Sequence, residues 1–215
     1  MLPDLFEAQG QQTQPPRIKV VQSLIAACGE SCEMLEIGSW TGHGAICWRG
    51  AIEKLPKRGR LTCVDPWRPY IRPWDIEHCS ACKDMQDWLE ADKAYSLFLR
   101  NTAYGDFATP IVHFRATLSE VAHRLPRFDL IYIDGSHYFE DVVKDIEIAR
   151  TLLKRGGILC GDDLERQMDE VDADEVMANL DKDYTGQYHP GVTAAVWQAF
   201  GRVPTTDAVW HLKGD

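Results

Sequence analysis

Apolar positions along the chain follow two periods in turn. From Arg17 to Cys28, in RIKVVQSLIAAC, they recur at helical spacing behind two prolines and ahead of Gly29, which predicts a helix. Met34–Ile37, apolar except for Glu36, predicts a short strand, followed by a glycine-rich turn from Gly38 to Gly44 and a helix to about Leu55. GRLTCVDPW predicts a second strand ending at Asp65. Three further units follow: strand Ile111–Phe114 with helix Leu118–Leu125, strand Phe128–Ile133 with helix Phe139–Leu153, and strand Gly157–Cys160. Strands that alternate with helices require right-handed crossovers and a parallel sheet covered on both faces. The pattern therefore predicts one doubly wound α/β domain spanning residues 1–215.

Two segments interrupt the alternation. Residues 66–108 carry Trp67, Tyr70, Trp74, Trp88 and Tyr95 in a stretch too long for an ordinary link, helical from about Asp84 to Leu99. Such an insertion at the carboxyl end of a strand is expected to cap a ligand or form an interface. Residues 164–190 are acidic and polar, and are expected to be a mobile or partly helical surface segment. PGVTAAVWQAF then predicts a helix, and Ala208–Lys213 a single closing strand.

Composition narrows the function. Hydrophobic residues make up 45% of 215 positions, enough for a buried core. The formal charge of −10 argues against nucleic acid or an anionic membrane as the main partner and favours a small molecule. No apolar run approaches a membrane span and the start lacks a signal-peptide pattern, so a cytoplasmic location is expected. A homo-oligomer is compatible with the chain. Seven cysteines, with Cys63 and Cys160 inside strand-like runs, are expected to be reduced thiols. The pairs Cys28 with Cys32 and Cys79 with Cys82 have spacings that zinc sites or redox pairs also use, but fit no well-defined zinc signature.

The candidate chemistry lies at strand ends. LEIGSWTGHG places Glu36 on the first strand and Gly38, Gly42 and Gly44 in the turn, where glycines let backbone approach a ligand. The spacing departs from the dinucleotide pattern G-x-G-x-x-G. Asp65 ends the second strand, where a carboxylate can accept ribose hydroxyls or cap the next turn. Asp134 and Asp162 end what should be neighbouring strands and Asp163 follows, so three carboxylates converge; without a counter-ion they would repel, and a divalent cation relieves that. Oxygen donors favour Mg²⁺, Mn²⁺ or Ca²⁺ over zinc. The competing assignment is that these acids only cap segments. His137, three residues past Asp134, should point into the same crevice as a base, or else cap a helix or touch the cofactor.

MLEIGSWTGHG, CVDPW, FDLIYIDGSH and LLKRGGILCGDD resemble successive motifs of class I S-adenosylmethionine-dependent methyltransferases, with their Rossmann-like sheet. More narrowly they resemble catechol O-methyltransferase and the macrolide-type sugar O-methyltransferases. The resemblance implies that Glu36, Gly38 and Gly42 line the amino-acid end of S-adenosylmethionine, with Trp40 and Gly44 at neighbouring contact positions and Ser39 also against the cofactor. It further implies that Asp65 binds the ribose and that Ala116 and Thr117 flank the adenine, although RAT stands where the family more often has a small residue, an acid and a serine. It assigns Asp134, also beside the cofactor, Asp162 and Asp163 as ligands of a divalent ion and His137 as the catalytic base. The expected reaction is methyl transfer to a hydroxyl of a small molecule with adjacent oxygens, a sugar diol or a catechol-like ring. The alternatives are a metal-independent methyltransferase and a noncatalytic module that binds S-adenosylmethionine.

Overall fold

The computed structural model describes residues 15–55, 57–103 and 107–214, so residues 1–14, 56, 104–106 and 215 lie outside the described residues. Helix α1 (Pro15–Ala27) precedes strand β1 (Ser31–Ile37), helix α2 (His43–Lys54) and strand β2 (Arg58–Asp65). The insertion folds as α3 (Pro73–His78), α4 (Ser80–Glu90) and α5 (Lys93–Ala103), where the sequence predicts one helix over roughly 84–99. Asp92 breaks the pattern by adopting a left-handed φ of 58° between α4 and α5. Then come β3 (Ile111–Arg115), the short α6 (Leu118–Val121), β4 (Phe128–Ile133), α7 (Phe139–Leu152) and β5 (Leu153–Gly161). The chain ends with α8 (Ala173–Met177), α9 (Pro190–Phe200), β6 (Thr205–Thr206) and β7 (Val209–Lys213).

The seven-stranded sheet runs β3-β2-β1-β4-β5-β7-β6. The first five strands are parallel, and β7 lies antiparallel to β5. Both faces are buried, and alternation along each strand divides the side chains between them. Met34, Leu130, Tyr132, Ile158 and Cys160 pack with α1, α2 and the insertion, around Trp48 and Trp67. Leu35, Ile37, Ile131, Ile133 and Leu159 pack with α6, α7 and α9.

Three boundaries differ from the sequence pattern. Strand β5 begins at Leu153, because Leu153 pairs with Phe128 before the chain bulges through Gly156 (φ 72°) and resumes pairing at Ile158. The closing element is a hairpin: Asp207 and Ala208 both take positive φ, the backbone of a tight turn that usually carries Asn-Gly, so β6 escapes the usual signal. Within 164–190, Val176 and Tyr188 are buried with Ala194 in a small cluster of their own. No helix among the described residues is long and apolar enough to cross a membrane.

The thiol expectation also needs correction. Cys79 and Cys82 are joined by a disulfide across the first turn of α4. The remaining cysteines are free, Cys28 and Cys32 with their sulfurs 3.5 Å apart.

Candidate active site

The sheet order reverses between β1 and β4, so the loops leaving their carboxyl ends diverge and open a crevice. A cavity of about 670 Å³ fills it, within the size range of small-molecule sites. Glu36, Gly38, Ser39, Trp40 and Gly44 line it from β1 and its turn, Asp65 from β2, and Thr117 from the loop after β3. Asp134 and His137 enter from β4, and Asp162 and Asp163 from β5. Gly42 and Ala116 are not part of the wall. Gly42, with φ 88°, instead turns its α-carbon toward Phe98 and Thr102 of α5.

The glycine turn is shaped as much by packing as by any ligand. A side chain on Gly38 (φ 81°) would place its Cβ 2.0 Å from the Asp134 carbonyl oxygen, so glycine lets β1 and β4 close at the crevice. Asp65 braces the same turn: its Oδ2 accepts the Ser39 and Trp40 N–H groups at 3.0 and 2.9 Å, and its Oδ1 accepts Trp67 N–H at 2.6 Å. Burial lifts its pKa to about 6 against the pull of these donors. Glu36 is almost wholly enclosed; burial raises it to about 7 although Ser39 donates to its Oε2 at 2.7 Å. Acidic groups at the wall beside apolar Val64 and Leu118 suit a ligand that has both a cationic end and an aromatic base.

The strand-end acids do converge, but they are not equivalent. Asp134, His137 and Asp163 each present a ligand atom within 4.8 Å of the others. The Asp162 carboxylate is engaged elsewhere, by the buried Arg17 guanidinium of α1 and by the Tyr132 hydroxyl at 2.9 Å. Asp163, left-handed at φ 61°, turns its Oδ2 to within 3.0 Å of His137 Nε2. On the other side of the ring, His137 Nδ1 lies 2.9 Å from Asp183 Oδ1. Burial alone would depress the His137 pKa, yet Asp163 and Asp183 outweigh it and hold the ring protonated well above the usual range. Asp163 sits at about 2, because His137, His189 and Arg17 overcome its burial. Asp134 is raised well above a normal carboxylate by burial and by the charges of Asp162 and Asp163.

Several of these groups escape the sequence reading. Asp183 and His189 belong to the acidic segment and its junction with α9, and both line the cavity. His189 packs against His137 with ring centres 4.4 Å apart and takes Glu165 at 3.0 Å. Asp183 is anchored by its own N–H donating to Asp75 at 3.1 Å, and Asp75 also accepts the Tyr138 hydroxyl at 2.8 Å. Arg17 reads as the polar start of an outer helix, yet it is 1% exposed. Its one sequence signal is a basic residue on the apolar stripe of α1, four positions before Val21. The insertion contributes Tyr70, Ala81, Met85 and Leu89 to the cavity, while Trp67 and Phe98 are core.

A switch-point cavity lined by a glycine turn and strand-end acids fits a class I S-adenosylmethionine-dependent methyltransferase, and the family match makes the protein one. Residues 35–164 match the sequence profile of a family described as a methyltransferase domain, and the chain belongs to that family. Among solved structures, cofactor-bound Rv0187 from MTB is 18% identical, with a TM-score of 0.56 over 92% of this chain and 73% of its own. An O-methyltransferase from Bacillus cereus in complex with SAH is 16% identical, with a TM-score of 0.52 over 96% of this chain and 84% of its own. The O-methyltransferase TomG from Streptomyces achromogenes, involved in tomaymycin synthesis and bound to SAM, is 14% identical, with a TM-score of 0.50 over 94% and 81%. At these identities the likeness is one of fold. No functionally curated protein matches the chain in sequence.

Proposed function

We propose that the protein is a divalent-metal-dependent O-methyltransferase, moving the methyl group of S-adenosylmethionine to a hydroxyl of a small molecule with adjacent oxygens, a sugar diol or a catechol-like ring. The observation that carries this reading is the meeting of Asp134, Asp163 and His137 within one cavity at the end of β4 and β5. Glu36, at the end of β1, faces the ammonium group of the donor, and Asp65 the ribose. Val64, Leu118 and Thr117 flank the adenine.

Asp134 and Asp163 fit a hard cation: both are carboxylates, both are half-buried at the cavity wall, and Asp134 is raised by its burial and by neighbouring like charge that a cation would relieve. An ion held there would lower the pKa of a coordinated hydroxyl. Asp162 supports them through its pairing with Arg17. His137 is the proton acceptor at Nε2, with Nδ1–H oriented by Asp183, so both ring nitrogens have assigned partners. In the present arrangement His137 is held charged between two carboxylates, so it can act as a base only after its Nε2 proton has passed to solvent, a loss made easier once Asp163 turns away from the ring.

Arg17 favours a second reading. It gives the acid cluster a built-in counter-charge, which a metal-independent methyltransferase would need. One experiment separates the two: transfer of labelled methyl from S-adenosylmethionine to a panel of diol acceptors, before and after exhaustive chelation. The metal-dependent reading expects loss of activity on chelation and recovery with Mg²⁺ or Mn²⁺. Activity that survives chelation decides for the second. Binding of S-adenosylmethionine with no turnover of any acceptor, in a protein indifferent to His137→Gln, would leave only a binding module.

A further inference from the structure

The CSAC stretch, set aside as neither zinc site nor catalytic element, occupies a particular place. Cys79 is the N-cap of α4, an 11-residue helix, and its sulfur accepts the Cys82 N–H at 3.1 Å. Cys79 is half-buried, while Cys82 is 4% exposed. A sulfur at a helix N-terminus is stabilised as thiolate by the free N–H groups and the helix dipole, which makes it a good leaving group in exchange. The buried partner resolves the bond by proximity. The same helix lines the active-site cavity with Ala81, Met85 and Leu89. Cys82 Sγ also lies 3.9 Å from Oδ2 of Asp183, whose Oδ1 holds His137.

We propose that Cys79 and Cys82 form a redox-active disulfide that exchanges with dithiols, and that its state is read at the active site through Asp183. A thiolate of the dithiol attacks Cys79 Sγ, the accessible sulfur, and Cys82 leaves and takes a proton. The second thiol of the reductant then attacks its own sulfur in the mixed disulfide and releases Cys79 as thiolate. The sum is one protein disulfide reduced by two electrons and one dithiol oxidised, with one of the dithiol's two protons on Cys82 and the other released to solvent. In the disulfide form Cys82 has no proton to give. In the reduced form its S–H can donate to Asp183 Oδ2, so the carboxylate that orients His137 gains a competitor. The other close pair, Cys28 and Cys32, remains two thiols outside the cavity wall. In a reducing compartment such bonds are transient and regulatory rather than structural.

The exchange chemistry stands apart from the proposed methyl transfer; only its reach to His137 rests on that reading, so the two are tested separately. The full-length protein is equilibrated in graded mixtures of reduced and oxidised dithiothreitol, quenched in acid, alkylated in denaturant and mapped by mass spectrometry. Cys79 and Cys82 should lose alkylation together in one two-electron transition, while Cys28, Cys32, Cys47, Cys63 and Cys160 stay fully alkylated. If Cys79 and Cys82 remain thiols in the most oxidising mixture, the proposal is overturned. With oxidised glutathione, Cys82→Ser should trap an adduct on Cys79 at least tenfold faster than Cys79→Ser does on Cys82. The reverse order overturns the assigned direction of attack. For the link to the site, nitrogen-15 histidine spectra, with His137 identified by its loss in His137→Gln, should show its ring signals shift on reduction. They should not shift in the Cys79→Ser/Cys82→Ser protein. Ring signals indifferent to reduction in the wild type would refute the coupling.

Discussion

Glu36 links the electrostatics of the cavity to two opposing measurements. Its carboxyl ends β1 at 1% exposure, and burial raises its pKa from 4.5 to about 7. At about 1.36 kcal/mol per unit, keeping it ionised in the folded apo protein costs about 3 kcal/mol at pH 8. The sign follows from the direction of the shift: a folded pKa above the unfolded one stabilises fully below pH 4.5, and that stability is lost as pH rises through 7. Glu36→Gln removes the ionisation and keeps an acceptor for the Ser39 hydroxyl. In urea titrations at pH 8 the variant should be more stable than wild type by about 3 kcal/mol, the gain falling to below about 1 kcal/mol at pH 5. On the proposed placement of the donor, its binding should run the other way, because the ammonium group would face the Glu36 carboxylate. A group of pKa 7 is about one-tenth ionised at pH 6 and about nine-tenths at pH 8, so affinity for S-adenosylmethionine should rise about tenfold, or about 1.4 kcal/mol. Calorimetry across that range, with Glu36→Gln to remove the titration of the ligand itself, reads the effect directly. A wild-type profile parallel to that of the variant, or a variant no more stable at pH 8, would refute the reasoning.

Arg17→Met leaves Asp162 buried without its cation and should cost about 3–5 kcal/mol in urea, with part regained in Arg17→Met/Asp162→Asn; equal losses in both would deny the pairing. Gly38→Ala forces a Cβ against the Asp134 carbonyl and should cost more than about 4 kcal/mol or abolish soluble protein. By contrast Gly50→Ala, with open space around it inside α2, should be neutral or stabilising by up to about 1 kcal/mol in a thermal melt. Asp75→Ala removes the acceptor of both the Asp183 N–H and the Tyr138 hydroxyl and should lose about 1–3 kcal/mol of stability. It should also lower kcat on any acceptor found, while the affinity for S-adenosylmethionine, read by calorimetry, holds.

The parallel strands were legible because each is a short, mostly apolar run, and Asp65, Asp134 and Asp162 were legible because each ends such a run. Asp134, Asp163 and His137 could be placed together from topology alone, since the strands that carry them are neighbours. What lay hidden arrives from outside the alternating pattern. Arg17 sits on a helix stripe where only its partner, 145 residues away, explains it. Asp183 and His189 belong to a polar segment without periodicity, held by Asp75 and Glu165 rather than by an apolar face. The insertion was legible as an interruption but not as three helices, because the break at Asp92 rests on one left-handed residue with no glycine to mark it. The disulfide needed the N-cap position of Cys79, which spacing alone does not fix.

These additions change how the acid cluster is to be understood. From sequence alone, converging carboxylates lack a counter-charge and call for an ion. In the folded chain, Arg17 and His137 bring positive charge from α1 and from the loop after β4. They act unevenly: Asp163 is driven down to about 2, while Asp134 stays raised, with burial and its neighbours' charges outweighing His137. Asp134 is thus where an incoming positive charge gains most, whether from the sulfonium of the donor or from a divalent ion. Both would relieve the same carboxylate, so their binding should be coupled through it. S-adenosylmethionine, which carries the sulfonium, should lose affinity relative to neutral-sulfur S-adenosylhomocysteine when Mg²⁺ is added. In Asp134→Asn that change in ratio should vanish, and an unchanged ratio in the wild type would mean that the ion, if bound, lies elsewhere.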